Sequence, residues 1–252
     1  MTYCVAITVN RGLVFASDSR TNAGVDQIST FSKMHTMVSD GERMITLLSA
    51  GNLATTQAVV RQTRRDLESN APRNLRTVQH LAEAAEYIGE LSVLQRQKHR
   101  NAAETKFDPE ASFIVGGQIA GREPQVFLVY PEGNHIRAAV ETPYLQIGEV
   151  KYGKPILDRI IHADLPLEDV ARCALVSMDS TVRSNVTVGP PIELMIYAAD
   201  SLREGPRLLL AEDDDYLFAL RKGWQLGLQK AFENLPKLPS AATPNVVRLA
   251  DR

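Results

Sequence analysis

The chain has 252 residues, 44% hydrophobic and 23% charged, with a net charge of −2. That length supports a sizeable core in one large domain or two small ones, and the near-neutral charge excludes a nucleic-acid binder working through bulk electrostatics. Two cysteines, Cys4 and Cys173, are too few for a disulfide framework or a zinc site and fit a reducing, cytoplasmic setting, while no apolar run nears the roughly 20 residues that span a bilayer.

The first apolar strand begins at residue three, and no basic stretch with an apolar core precedes it, so no signal peptide is expected. Residues 3–9 and 12–16 are short apolar runs joined by Asn10-Arg11-Gly12. Asn and Gly tolerate positive φ, so this reads as a tight hairpin. Residues 20–34 are polar and read as a loop or a frayed strand pair. His35–Ser39 and Arg43–Ser49 flank Asp40-Gly41, a second hairpin signal, which makes the first 50 residues an antiparallel meander.

At Gly51 the texture changes. Leu53, Ala54, Val59, Val60 and Leu67 fall at helical spacing over 52–69. A longer stripe from Leu75 through Leu81, Ile88 and Leu94 predicts a helix over 74–99. Strands return at Ala111–Gly117, Gln125–Tyr130 and 135–139. Helices follow at roughly 153–163 and 166–183, then a strand pair at Ile192–Tyr197 and Pro206–Leu210. A last amphipathic helix, roughly 215–234, holds the only tryptophan, Trp224. Pro236 to Arg252 carries three prolines and reads as an extended arm. Helices in pairs between blocks of strands predict an α+β fold, with one domain over 1–235 and a tail over 236–252.

The common single-sequence catalytic motifs are missing: no GxSxG, HExxH, P-loop or GxGxxG. The histidines (His35, His80, His99, His135, His162) lack metal-ligand spacing. Gly116-Gly117 after an apolar run suits a turn or close packing better than an anion cradle. What remains is a set of polar residues at strand ends in the first 51 residues. Thr2 opens the first strand, Asp18 ends the second, Lys33 precedes the third and Gly51 ends the fourth. If these strands are neighbours, Thr2, Asp18 and Lys33 meet at one sheet edge. Gly51 then presents a helix N-terminal N–H suited to an anion.

Four features in order carry a resemblance: Thr2, the hairpin Val14–Arg20, Lys33, and Ser49-Ala50-Gly51 before a helix. Together they resemble the β-subunits of proteasomes and their bacterial relatives, the N-terminal-nucleophile hydrolases. The stretch FASDSRTNAGVDQIS behind a Met-Thr start is most similar to the bacterial Anbu (ancestral β-subunit) group. The resemblance implies a four-layer αββα sandwich and a threonine peptidase or amidohydrolase. In it Met1 is removed, the Thr2 hydroxyl attacks, and the Thr2 α-amine is the base. Chemistry agrees: a hydroxyl needs a base, and a free α-amine with a pKa near 7.7–8.0 is usefully neutral in the cell. Lys33 then lowers the hydroxyl pKa, Asp18 holds Lys33, and the Gly51 N–H stabilises the oxyanion. Arg20 braces the loop. Ser49 and Leu53 flank the first side-chain pocket, and Asn22 offers backbone bonds to an extended peptide.

The supporting shell departs from the family's pattern. Glu149, in Gln146-Ile147-Gly148-Glu149, stands where a Ser is expected; Ser184 replaces an Asp, and Thr187 takes the place of a Ser. The interval from Asp18 to Lys33 is one residue shorter than in the common proteasomal pattern. A carboxylate at Glu149 beside the amine is expected to raise its pKa and weaken it as a base at neutral pH. The resemblance further implies a homo-oligomer (a ring or a ring-like or helical stack), a peptide or other amide substrate, and an ATP-dependent partner. It implies no metal or organic cofactor. The competing reading is a catalytically silent assembly subunit, in which a retained Met1 blocks the amine.

Overall fold

A computed structural model describes residues 1–22, 28–100 and 109–238, the side chains of residues 22, 28, 99 and 100 excepted. The first part of the chain forms β1 (Tyr3–Val9), β2 (Gly12–Asp18), β3 (Arg20–Asn22), β4 (Ile28–Thr30), β5 (Met34–Ser39) and β6 (Arg43–Gly51). Helices α1 (Leu53–Glu68) and α2 (Leu81–Arg100) follow, then β7 (Ala111–Ile119), β8 (Gln125–Val129), β9 (His135–Arg137) and β10 (Tyr144–Gly148). The last part contains α3 (Lys154–Ile160), α4 (Leu167–Ser184), β11 (Ile192–Ala198), β12 (Arg207–Leu210) and α5 (Asp215–Glu233).

Ten of these strands make two five-stranded antiparallel sheets, ordered β10-β1-β2-β11-β12 and β5-β6-β7-β8-β9, and β3 and β4 pair separately. The first 50 residues are therefore not one meander. The β1–β2 hairpin sits in one sheet and the β5–β6 hairpin in the other, and β2 pairs with β11 instead of β5. The reason lies in the strands' composition. Tyr3, Val5 and Ile7 pack against α3 and α4, while Cys4 and Ala6 face Met44, Leu48 and Ile114 of the opposite sheet. A strand apolar at both parities must be covered on both faces, and one flat sheet cannot do that. The helices α1 and α2 cover the outer face of the second sheet through Val59, Leu67, Ala84 and Ile88. The layers thus run helices, sheet, sheet, helices, as the resemblance implies.

Local differences have local causes. The helix expected from residue 74 starts at Leu81. Asn74 instead closes a turn, its Oδ1 accepting from Arg76 N (2.7 Å) and its Nδ2 donating to Ala71 O (2.6 Å). Such side chains compete with the helix for backbone partners. Leu75 and Val78 are buried all the same, and Arg43 Nη1 donates to both of their carbonyls. The frayed pair expected over 20–34 is β3–β4, whose connecting residues 23–27 lie outside the described residues, as does the tail beyond residue 238. The strand β10 was not expected. It is short, and only Tyr144 and Ile147 of its five residues are buried, so its apolar pattern is weak.

Gly116 and Gly117 serve close packing. A Cβ on Gly116 would lie 2.4 Å from the Phe15 ring across the two sheets, and one on Gly117 would lie 2.0 Å from Met44 O. Overpacking of this kind costs about 1–3 kcal/mol. Gly116→Ala is expected to lower stability by that amount in urea titration, and Phe15→Leu in the same chain to recover part of it. Additive losses would mean that the two residues do not share this space.

Candidate active site

Asp18, at the end of β2, is completely buried. Its Oδ1 accepts from Lys33 Nζ at 2.6 Å and from the backbone N–H of Tyr3 at 2.9 Å, and its Oδ2 accepts from Gly189 N at 3.2 Å. Burial pushes the Asp18 carboxyl up, while Lys33 and the two backbone N–H groups favour its charged form. Lys33 is only 7% exposed, and its second tether is a 2.7 Å bond from Nζ to the carbonyl of Arg20. The ammonium is thus held between the two sheets, because β5 belongs to one and β2 to the other.

Thr2 is fixed on both sides of its carbonyl. The next peptide N–H, of Tyr3, goes to Asp18, and the Thr2 carbonyl accepts from Glu149 N at 2.7 Å. Glu149 directly follows β10, whose register, with Tyr3 opposite Gly148, places that second clamp. Gly148 has φ +84°, and a Cβ there would stand 1.9 Å from Thr2 O. Only glycine lets the strands approach this closely. Gly51 is also in the left-handed region, with φ +106°, where a Cβ would meet Glu110 O at 2.5 Å. It ends β6 and does not open the helix: the N-cap of α1 is Asn52, whose Oδ1 accepts from Thr55 N. The expected helix N-terminal N–H at Gly51 is therefore corrected to a strand-end residue.

Thr2, Lys33 and Gly51 line one cleft of about 930 Å³, together with Ser49 and Leu53. Arg20 also reaches this cleft, and its Nη1 donates to Val186 O at 2.9 Å, bracing the loop after α4. Gly189 leaves room for that guanidinium, since a Cβ would lie 2.3 Å from Arg20 Cζ. Asn22 is in β3, its side chain outside the described residues.

The altered shell resolves into a small network. Glu149 is 7% exposed and accepts from Asn185 Nδ2 at 2.9 Å, with Lys151 Nζ 3.5 Å from its other oxygen. Asn185 Oδ1 in turn accepts from Thr187 N (3.0 Å) and Thr187 Oγ1 (2.6 Å). Ser184 is exposed at the end of α4 and stands outside this network. The backbone turns extended at Asn185 (φ −143°, ψ 104°), so the residue that reaches Glu149 is one place further on. Asn185, Gly148 and Gly189 were not marked by sequence reasoning. Gly148 and Asn185 lay inside stretches it quoted, but their roles depend on a strand and a chain turn that no periodicity signals.

The amine at the chain start, on Met1, lies in the fields of Lys33, Asp18 and Glu149. Burial first, and Lys33 second, push it below its ordinary value; Asp18 and Glu149 pull it up and are outweighed. Glu149 acts on this Met1 amine in the expected direction; the Thr2 amine, on which the expectation bears, exists only once Met1 is removed. Two ammonium groups brought together in a half-dry cleft disfavour each other's charge. Among the described residues no group of three or more His, Cys, Asp or Glu is placed to hold a metal ion, and no helix is long and apolar enough to cross a membrane.

The Proteasome subunit family matches residues 2–197. Among solved structures, Anbu (ancestral beta-subunit) from Yersinia bercovieri is 46% identical with a TM-score of 0.89, covering 94% of this chain and all of that one. The helical assembly of the Anbu complex from Pseudomonas aeruginosa is 45% identical, with a TM-score of 0.89 and coverage of 96% and 100%. An Anbu Gly-1 mutant from Hyphomicrobium sp. strain MC1 is 42% identical, with a TM-score of 0.88 and coverage of 95% and 100%. No curated protein sequence matches. The chain belongs to the proteasome subunit family, in its Anbu group.

Proposed function

We propose that the protein is a self-compartmentalising threonine peptidase or amidohydrolase whose nucleophile is Thr2, freed by removal of Met1. The observation that carries this reading is the buried Asp18–Lys33 pair, 2.6 Å apart, in the wall of the cleft that Thr2 also lines. In the proposed mechanism the Thr2 α-amine takes the hydroxyl proton as Oγ1 attacks the amide carbonyl. Nucleophile and base then belong to one residue, so their geometry does not depend on packing. Lys33 supplies positive charge that favours the alkoxide. Asp18 orients Lys33 and, through Tyr3 N, the peptide bond beside the nucleophile. The Gly51 N–H is the oxyanion donor, a role worth roughly 2.7–4 kcal/mol of barrier. The amine next returns its proton to the leaving nitrogen, and water releases the acyl group by the same route.

The altered shell at Glu149 and Ser184 favours the second reading, a silent assembly subunit. With Met1 attached, the Thr2 nitrogen is an amide and no base. Intact mass after an electrophile that acylates N-terminal threonines separates the two. Loss of Met1 and one adduct, abolished by Thr2→Ala, is the expected result. Retained Met1 with no adduct would support the silent subunit.

The pH dependence follows from the electrostatics. The groups that act on the Met1 amine, with burial and Lys33 lowering its pKa and Glu149 raising it, are expected to act also on the α-amine that removal of Met1 exposes on Thr2. Glu149 opposes that shift, so Glu149→Gln is expected to move the rising limb of the pH–rate curve to lower pH. An unmoved limb would show that Glu149 does not act on the base.

We also propose assembly into a homo-oligomer, a ring or a helical stack. The support is α5, which buries only Leu217 in its own subunit and leaves Phe218 (64%) and Phe232 (75%) exposed with Leu226 and Leu228. Apolar faces of this kind mark contact sites. Phe218→Ser with Phe232→Ser is expected to shift the protein to smaller species in light scattering without lowering its melting temperature.

A further inference from the structure

The cleft beside Thr2 has one wall made by α1. Residues three and four apart share a helix face, and Leu53, Thr56, Val60, Arg61 and Arg64 all line the cleft. The nearer part of that face is apolar or small. The farther part ends in two guanidiniums one turn apart. Among the described residues, neither Arg61 nor Arg64 has a carboxylate partner or a hydrogen bond. The other cations of the cleft are already engaged. Lys33 is paired with Asp18, Arg207 with Glu193 and Glu204, and Arg20 with the carbonyl of Val186. Among the described residues that line the cleft, Glu204 is the one carboxylate, and it lies 3.5 Å from Arg207.

We propose that this cleft takes a substrate with an acidic side chain, whose carboxylate docks against Arg61 and Arg64. The inference rests on the reading of the cleft as the place where an amide substrate lies beside Thr2. Guanidiniums bind carboxylates in a fork geometry that an ammonium cannot match. Both side chains are exposed, so solvent and salt screen the pair in part; what sets it apart from an ordinary solvated helix face is that it lines the cleft without a carboxylate partner. His35 reports the same field from the opposite wall: burial, then Arg64 and Arg207, push it down to about 4. It is therefore neutral at cellular pH and adds no charge of its own. The apolar Val60, beside Arg61 on the same helix, would take the stem of a Glu side chain, leaving its carboxylate at the cationic end.

The test is binding to the Thr2→Ala chain, which lacks the hydroxyl and keeps the cleft. Fluorescein-labelled tripeptide amides ending in Glu, Leu or Lys are compared by anisotropy. The Glu peptide is expected to bind about tenfold more tightly than the Leu peptide, as one or two charged hydrogen bonds would give, and the Lys peptide least. Arg61→Glu with Arg64→Glu should reverse the order of Glu and Lys. Equal binding of all three peptides, no binding of any, or a Glu preference that survives the charge reversal would each overturn the proposal. Acylation of wild-type Thr2 by an uncharged electrophile reads the hydrolase function separately. Labelling of Thr2 without a Glu preference removes this inference alone. A Glu preference without labelling removes the hydrolase and leaves the anion subsite.

Discussion

The carboxylate of Asp18 collects three donors from three distant parts of the chain: Tyr3 N, Lys33 Nζ and Gly189 N. A fully buried charge is tolerated only when it is paired and hydrogen-bonded, so these partners are obligatory to one another. Tyr3 places the start of β1, Lys33 places the entry to β5, and Gly189 places the loop before β11. Two of these belong to one sheet and one to the other. The same carboxylate therefore ties the sandwich together at the end where Thr2 lies. Removing one member of such a pair strands the other in a dry site, at a cost of about 3–5 kcal/mol.

Around this centre, glycines set how closely the backbone can approach. Gly148 admits the Thr2 carbonyl, Gly189 admits the Arg20 guanidinium, and Gly116 admits the Phe15 ring. Each sits where two elements from different parts of the chain touch. The bond that holds the Thr2 carbonyl comes from the backbone at Glu149 N, which no side-chain substitution removes directly, whereas the neighbouring Tyr3 N–H is held by the Asp18 side chain. What the side chains add is charge. Lys33 and Glu149 act on the Met1 amine in opposite senses, and burial together with Lys33 prevails.

Much of the site was legible from residue order. Thr2, Asp18, Lys33 and Gly51 fall at strand ends, where polar residues in apolar runs stand out, and Thr2, Lys33 and Gly51 line one cleft with Asp18 directly behind Lys33. The altered shell was legible only in part. Glu149 and Thr187 do join one network, but through Asn185, while Ser184 points to solvent. The chain turns extended at a helix end, and a one-residue choice of where it turns is set by packing, not by the identity of Ser or Asn. Arg61 and Arg64 read as ordinary polar positions on an amphipathic helix. Their placement in a cleft follows from which part of that helix overhangs the sheet.

The sequence by itself determined the α+β class, the position of all five helices to within a few residues for four of them, and the family. Those properties rest on local periodicity, turn residues and a spaced motif, all of which are short-range or ordered along the chain. Tertiary structure alone decided that the first two hairpins lie in different sheets, that β10 exists, and that the residue after β10 clamps the Thr2 carbonyl. A five-residue strand with two buried side chains carries too little pattern to be recognised alone; it is stabilised by its partner β1. Pairing between distant strands depends on which faces remain to be covered once the helices are in place. That is a property of the whole core, and no local stretch of residues encodes it.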